Sequence, residues 1–394
     1  MPSSPWFSDA QVQPEMLRRH SRLRWGASAE GVIPLTAAEP DFPPAPEIIR
    51  AVTEHATGGY FFYSAPEGEA ELKALVAQVL RQRRHLPCAP EQLIPTLGSA
   101  AGIWLAVHWL CRPGDECILL DPVDLLFGLA IDSAGARRVY CPMDKQTGQP
   151  DVEALRKCIT ERTRLLCLCN PHNPLGSVFS EQTLRTLGEL AVERGLMVLA
   201  DEVWSEIVFA PARHVSLASL GPEIAEHTLT LVGPSKTFGI PGLRIGFLAA
   251  PAGAVAGLQQ TAMRLGHAWG LTSLAQAGAM AAYRHGWPWR DAFVAHLEQA
   301  RDYCVERLNR IPGLRCPKPD ATYVLFPDIT GLGMSSQECA DFFLQEARVA
   351  VVPGTLDWFG PGAEGHVRLC FSTSLGVLRE ALDRLEHAVS RRRP

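Results

Sequence analysis

Thr228-Leu-Thr-Leu-Val-Gly-Pro-Ser-Lys-Thr-Phe-Gly-Ile-Pro-Gly-Leu-Arg-Ile-Gly246 is the stretch on which the reading of the whole chain turns. Its first five residues are apolar or β-branched without alternation, the pattern of a strand buried on both faces of a parallel sheet. A lysine, Lys236, follows four residues after that strand, and Arg244 comes eight residues later. Lone lysines and arginines are ordinarily solvated surface groups. A lysine leaving a buried strand is different, because desolvation there lowers its pKa and makes its amine nucleophilic. Arg244 adds a planar fork suited to a phosphate.

Outward from this stretch the same grammar repeats. Leu93 to Leu97, Glu116 to Leu120, Arg138 to Cys141, Arg164 to Cys169, Leu196 to Ala200 and Gly246 to Ala250 read as further strands. Amphipathic segments alternate with them, including Ala100 to Cys111 and Asp151 to Ile159. Another opens on Ser180 as N-cap and stops at Gly195. Apolar strands alternating with helices predict an α/β fold, a mostly parallel sheet covered on both faces. Beyond about residue 285 the pattern changes to α+β. A helix over Trp289 to Arg310 leads to Tyr323-Val-Leu-Phe-Pro and a helix over Ser336 to Ala347. Strands over Val349 to Val352 and His366 to Phe371 and a final helix near Gly376 complete it. The division expected is an amino-terminal segment 1–45 packed on the small domain, a large domain 46–285 and a small domain 286–394.

In open α/β sheets ligands bind beyond the carboxyl ends of the strands, and three further segments put chemistry there. Thr96-Leu-Gly-Ser-Ala-Ala-Gly102 is a strand-to-helix junction of small residues, where backbone amides of Ala100 and Ala101 and the Ser99 hydroxyl can meet a phosphate. It lacks the Gly-Lys-Ser/Thr ending of a P-loop. Asn170-Pro-His-Asn-Pro-Leu-Gly176 could be a plain turn, but two Asn-Pro pairs straight after a buried strand hold an amide at the sheet edge. Asp201-Glu-Val-Trp204 ends another apolar strand, and a carboxylate there is costly to desolvate unless a cation meets it. Together they describe one ligand: an anchored phosphate, a ring nitrogen needing a carboxylate and an aldehyde needing an amine.

The bulk properties exclude several classes. Hydrophobic residues make up 47% of the 394 and charged residues 20%, enough to build a large core. A net charge of −5 and a pI near 6.2 give no reason to expect nucleic acid or an anionic membrane. The basic Ser-Arg-Arg-Arg-Pro ending reads as a solvated tail. Eleven cysteines raise the question of disulfides or metal, yet Cys167 and Cys169 alternate along one strand face and the others are scattered among apolar neighbours. Buried free thiols are expected, and no metal. Met-Pro-Ser-Ser-Pro-Trp-Phe at the start lacks a secretion-signal pattern, and no apolar run spans a bilayer, so a cytoplasmic protein is expected.

These segments resemble the fold-type I pyridoxal-phosphate enzymes of the class I/II aminotransferase superfamily, nearly end to end. The resemblance begins at Pro40-Asp-Phe-Pro43 and runs through Tyr63-Ser-Ala-Pro-Glu-Gly68, the Asn-Pro-His-Asn-Pro loop, the Asp-Glu pair and Ser-Lys-Thr-Phe. Within the superfamily it is most similar to the MalY/PatB branch of cystathionine β-lyases, through Arg213 to Leu220, Ala282 to Trp289, Ala321-Thr-Tyr323 and Gly365 to Leu369. It implies an aspartate-aminotransferase-like large domain and a homodimer with sites at the interface. It implies pyridoxal 5′-phosphate held by Lys236 as a Schiff base, with Lys236 moving the α-proton. Asp201 then pairs with the pyridinium nitrogen, and Asn173 donates to the ring's phenolate oxygen. Ser99, Ala100, Ala101, Ser235 and Arg244 hold the phosphate, Tyr63 reaches the phosphate of the neighbouring subunit, and Arg368 binds the substrate α-carboxylate.

Three departures bear on the reaction. Pro122-Val-Asp124 carries an acid where the family usually stacks an aromatic ring over the cofactor, so either Phe127 substitutes or that face is polar. Trp204 stands where a tyrosine or histidine usually donates to the phenolate oxygen. Arg244 in Gly-Leu-Arg-Ile-Gly looks like an aminotransferase, whereas several C–S lyases lack it. The branch resemblance implies an amino acid carried through an external aldimine and quinonoid to β-elimination. Transamination, or a specialised reaction such as cyclisation or γ-elimination, stays open. A regulator that binds cofactor without turnover is a further reading, against which the intact Lys236 and Asp201 argue.

Overall fold

The computed structural model describes residues 5–144, 147–266 and 270–392. Met1 to Ser4 and the last two residues of the basic tail lie outside them. Among the described residues thirteen strands follow in chain order: β1 (Ile33–Pro34), β2 (Leu93–Thr96), β3 (Glu116–Asp121), β4 (Arg137–Asp144), β5 (Gln149–Pro150), β6 (Thr163–Cys169) and β7 (Met197–Asp201). After them come β8 (Thr228–Val232), β9 (Gly246–Ala249), β10 (Val324–Leu325), β11 (Val349–Ala350), β12 (Val352–Pro353) and β13 (Val367–Cys370).

Eight strands form the main sheet in the order β2-β9-β8-β7-β6-β3-β4-β5. The run β8-β7-β6-β3-β4 is parallel; β9 is antiparallel to both its neighbours. Side chains alternate between faces as the period of two requires. Cys117, Leu119, Leu165, Cys167 and Leu199 enter one apolar layer, while Ile118, Leu120, Leu166, Leu168 and Val198 enter the other. Cys167 and Cys169 do share a face. All eleven cysteines are free thiols, with Cys158 alone half-buried and the rest buried.

Register decides where the site lies. Thr96 pairs with Gly246, Val232 with Phe247, Asp201 with Leu231, and Cys169 with Asp201. The ends of β2, β8, β7, β6 and β3 and the start of β9 therefore line one edge of the sheet. Segments 97–102, 122–124, 170–176, 201–204 and 233–245 leave from that edge, so five stretches of sequence become neighbours.

The carboxyl-terminal part holds the antiparallel sheet β10-β13-β12 and the long helix Trp287–Leu308. The stretch Val349 to Val352, expected as one strand, is two. β11 pairs with β1 of the amino-terminal segment, and β12 pairs with β13, so Val351 marks a change of partner. The amino-terminal segment packs here through Phe7, which stacks on Phe293 (5.3 Å) and His296 (5.5 Å). Asp9 also accepts from Gly376 N at 2.8 Å. No helix among the described residues is long and apolar enough to cross a membrane, and none of their acidic, histidine or cysteine clusters could hold a metal.

Candidate active site at the carboxyl edge of the sheet

Lys236 lies in the short helix Pro234–Thr237, which starts one residue after β8. Pro234 sits at the first helical position, where its missing N–H costs nothing. The Lys236 Nζ donates to Ala38 O at 2.7 Å and lies 5.0 Å from the Trp204 ring centroid. Burial pushes its pKa down, partly opposed by the carboxylates of Asp124 and Asp201.

Asp201 ends β7, the strand paired with β8. Its Oδ1 accepts from Val203 N at 3.1 Å. Burial pushes it up to about 7, and the carboxylates of Asp124 and Glu202 add to this. Glu202 is itself held by Ser216 Oγ (2.8 Å), Leu217 N (3.1 Å) and His214 Nε2 (3.2 Å). Among the described residues no ion pair neutralises Asp201, which leaves it suited to a cationic ligand atom. Trp204 is buried and packs edge-on against Tyr323, with centroids 4.5 Å apart.

The phosphate-type cradle is made by backbone. Gly98 opens the helix Gly98–Leu110 at φ +79°, and a Cβ there would lie 3.5 Å from the Arg244 Cζ. A Cβ on Gly246 would come within 3.1 Å of Gly98 C, so β9 approaches the helix start closely because Gly246 has none, while the positive φ of Gly98 is a glycine conformation. Arg244 adopts left-handed φ (+52°), which aims its guanidinium at the amino end of that helix. Ser99, Ala100 and Ala101 form its first turn, with unpaired amides facing the same way. Ser235 Oγ donates to Ile245 O at 3.4 Å on the opposite wall.

A second constellation joins residues far apart in sequence. Asn173 is placed by a tight loop in which Gly176 N donates to His172 O and His172 N to Ser177 O, both at 2.8 Å. A side chain at Gly176 would strike Pro319 at 2.4 Å. The Asn173 Nδ2 donates to Asp124 Oδ2 at 2.9 Å, and its Oδ1 accepts from Arg368 Nη1 at 3.2 Å. Arg368 Nη1 lies 3.6 Å from Asp124 Oδ2, and Nη2 donates to Thr36 O at 3.2 Å. The Arg368 Nε is buried without a hydrogen-bond partner among the described residues. Burial lowers the Arg368 pKa, while Asp124 raises it.

Of the residues singled out in the sequence, Ser99, Ala100, Ala101, Asn173, Asp201, Trp204, Ser235, Lys236, Arg244 and Arg368 all emerge at this edge or face it. Tyr63 does not join them within one chain: it is 92% exposed on a loop with Tyr60, Phe61 and Phe62. Phe127 does not take the stacking place either. It is buried in the apolar layer beneath the sheet with Leu119 and Ile131. The face left open carries Asp124. Missed by sequence reasoning are Thr36 and Ala38, whose carbonyls receive Arg368 and Lys236, and Phe359, 5.1 Å under the Arg368 guanidinium. A backbone carbonyl leaves no sequence signature.

Comparison with known proteins follows the same lines. The family model for aminotransferase class I and II matches residues 30–385. Aromatic-amino-acid aminotransferase 2 of Thermococcus litoralis is 31% identical over 97% of each chain. Cystathionine beta-lyase PatB of Bacillus subtilis is 30% identical over 93% of this chain and 96% of its own. Cystalysin of Treponema denticola, solved with a pyridoxal 5′-phosphate cofactor, superposes with a TM-score of 0.90 over 99% of both chains at 22% identity, a likeness of fold.

Proposed function

From the premise that the chain belongs to the aminotransferase class I and II family and is a pyridoxal 5′-phosphate enzyme, we propose that it takes the α-proton of an α-amino acid and exchanges its amino group with a 2-oxo acid. The residues fit the cofactor. Asp201 is a buried carboxylate lacking an ion-pair partner among the described residues. Lys236 is a buried amine, and the glycine-lined approach of Arg244 to the helix start leaves room for a phosphate. When bound, the cofactor supplies an aldehyde for the substrate's amino group and a ring that accepts electron density from Cα.

The chain's own residues do the rest. Lys236 holds the cofactor, then its freed Nζ takes the α-proton and returns it, a task suited to an amine whose pKa burial has lowered. Asp201 keeps a proton on the ring nitrogen, and the Asn173 amide and Trp204 indole orient the ring. Ser99, the Ala100 and Ala101 amides, Ser235 and Arg244 hold the phosphate. Arg368 takes the α-carboxylate in a two-pronged pair. The exposed run Tyr60-Phe-Phe-Tyr63, each side chain at least 63% exposed, supports a two-fold dimer in which Tyr63 of the partner subunit completes the phosphate site.

Arg244 against Gly98 is the observation that carries amino transfer over elimination, since that arginine is the aminotransferase-like feature of the site. β-Elimination from a cysteine thioether is the second reading, supported by the 30% identity to PatB through both parts of the chain. The test supplies amino acids with and without a 2-oxo acid and follows new amino acid, thiol and pyruvate. Exchange that depends on the oxo acid, lost by about 1,000-fold or more in Lys236→Ala, supports the first reading. Thiol and pyruvate released without any oxo acid overturn it in favour of the second. No reaction with either overturns both.

A further inference from the structure

Asp124 is the charge at this site that the proposed function does not use. It caps the helix Leu125–Ser133, accepting from Leu126 N through Oδ1 at 3.2 Å. The preceding Val123 N is tied to Phe359 O at 2.8 Å. The backbone before Asp124 is thus anchored, and the carboxylate itself is held through Oδ1 by Leu126 N and through Oδ2 by Asn173 Nδ2. Its Oδ2 also faces Arg368, and its side chain is 20% exposed, open to an incoming molecule. Its field also reaches Lys236, Asp201 and Cys169.

Resting on the reading of this edge as an α-amino-acid site, we propose that Asp124 selects substrates whose side chain carries a positive charge, a primary ammonium or a guanidinium.

The reason is charge balance. Asp201 is assigned to the ring nitrogen, Arg244 to the phosphate and Lys236 to the cofactor's aldehyde. Arg368 is the counter-ion of Asp124 as long as no substrate is present. A substrate α-carboxylate takes over that guanidinium, and Asp124 loses its partner while its N-cap bond keeps it in place. A carboxylate stranded in a partly desolvated cleft is costly. A cationic side chain restores the balance, a neutral one leaves the deficit, and a second carboxylate deepens it by like-charge repulsion. Asn173 sharpens the effect, because it joins Asp124 and Arg368 and transmits any shift of one to the other. An aromatic ring at this position would attract a cation only weakly, through its face, and would not penalise a neutral side chain.

The experiment titrates the cofactor-loaded protein with L-arginine, L-ornithine, L-citrulline, L-norleucine and L-glutamate, reading half-saturation of the change in the cofactor's absorbance. Citrulline matches arginine in shape and lacks its charge. Arginine or ornithine is expected to half-saturate at about tenfold lower concentration than its neutral counterpart, with glutamate the weakest. Arginine and ornithine separate guanidinium from ammonium recognition. In Asp124→Asn the cationic-over-neutral ratio is expected to fall to within about threefold; as a ratio inside one variant, it is insensitive to a general loss of affinity. Equal half-saturation within both pairs, arginine with citrulline and ornithine with norleucine, in the native protein overturns the proposal without any variant, as does an undiminished ratio in Asp124→Asn. A response blind to side-chain charge leaves the amino-acid reading standing; no response to any amino acid removes both.

Discussion

The two walls of the site are built on different principles. The phosphate wall draws on two short segments and is made largely of backbone: a helix start, two glycines in contact and an arginine in left-handed conformation, all from 97–102 and 233–246. The substrate wall is long-range and made of side chains. Asp124, Asn173 and Arg368 come from three segments, with 195 positions separating the last two. A wall of backbone amides accepts any phosphate of the right size, so it suits a cofactor that never changes. A wall of three interlocked charged and amide side chains is altered by one substitution, which suits the part that meets the variable substrate.

The largest effect is expected from breaking the substrate wall. Arg368 is buried, and its guanidinium serves Asn173 and Thr36 while facing Asp124. Lysine keeps the charge but loses the planar fork. Losing one charge-assisted hydrogen bond of roughly 1.5–3 kcal/mol should lower kcat/KM for amino acids by about 30-fold, mostly through KM. Cofactor content should stay level. Steady-state kinetics beside cofactor absorbance checks this, and a parallel fall in cofactor retention would show that the walls are not separate.

Legibility in the sequence divides along the same line. The parallel sheet could be read because β8 is apolar or β-branched throughout and β3 carries the apolar run Cys117 to Leu120, and the cap at Ser180 and stop at Gly195 carry their own chemistry. Lys236, Asp201 and Arg244 could be found because each follows or precedes such a strand within a few residues. The partner change at Val351 could not, since two short strands with different partners look like one long one. Nor could the place of Asp124 be decided. Whether Phe127 or Asp124 faces the site depends on how the helix Leu125–Ser133 is rotated, and its apolar layer is supplied by distant strands. Arg368 was legible as a buried cation in an apolar strand; its tie to Asn173 was not.

Between the two walls stands Asp201, and its effect is of intermediate size. In the cofactor-free protein burial raises its pKa to about 7, against 3.8 as an ordinary carboxyl. The folded state therefore holds a proton that the unfolded state gives up. The sign follows: the stability tied to that proton is present at acid pH and is lost as pH rises from about 4 through 7. Asp201→Asn removes the titrating group while keeping an acceptor for Val203 N. Cofactor-free Asp201→Asn should exceed cofactor-free native protein in stability by on the order of 2 kcal/mol at pH 8, and the gap should narrow at pH 5 and close only below about pH 4. Denaturant melts at the first two pH values measure it. A gap that does not depend on pH would mean that Asp201 already has a cation beside it.

The smallest effect belongs to the phosphate wall. Arg244 is exposed in the single chain, so water and salt screen its attraction for a phosphate. The amides of Ala100 and Ala101 and the hydroxyls of Ser99 and Ser235 share the load. Arg244→Gln keeps an unbranched side chain in the same left-handed backbone, so the strain at φ +52° cancels between the two proteins. What changes is one guanidinium. The dissociation constant for pyridoxal 5′-phosphate should rise by about tenfold at low ionic strength and by less as salt is added. The preference among amino acids of different charge should persist, because Asp124, Asn173 and Arg368 are untouched. Fluorescence titration of the cofactor at two salt concentrations, with the arginine-to-citrulline ratio measured on the same protein, tests both halves. A ratio that collapses along with cofactor affinity would mean that Arg244 also sets the field at Asp124, and the two walls would have to be treated as one electrostatic unit.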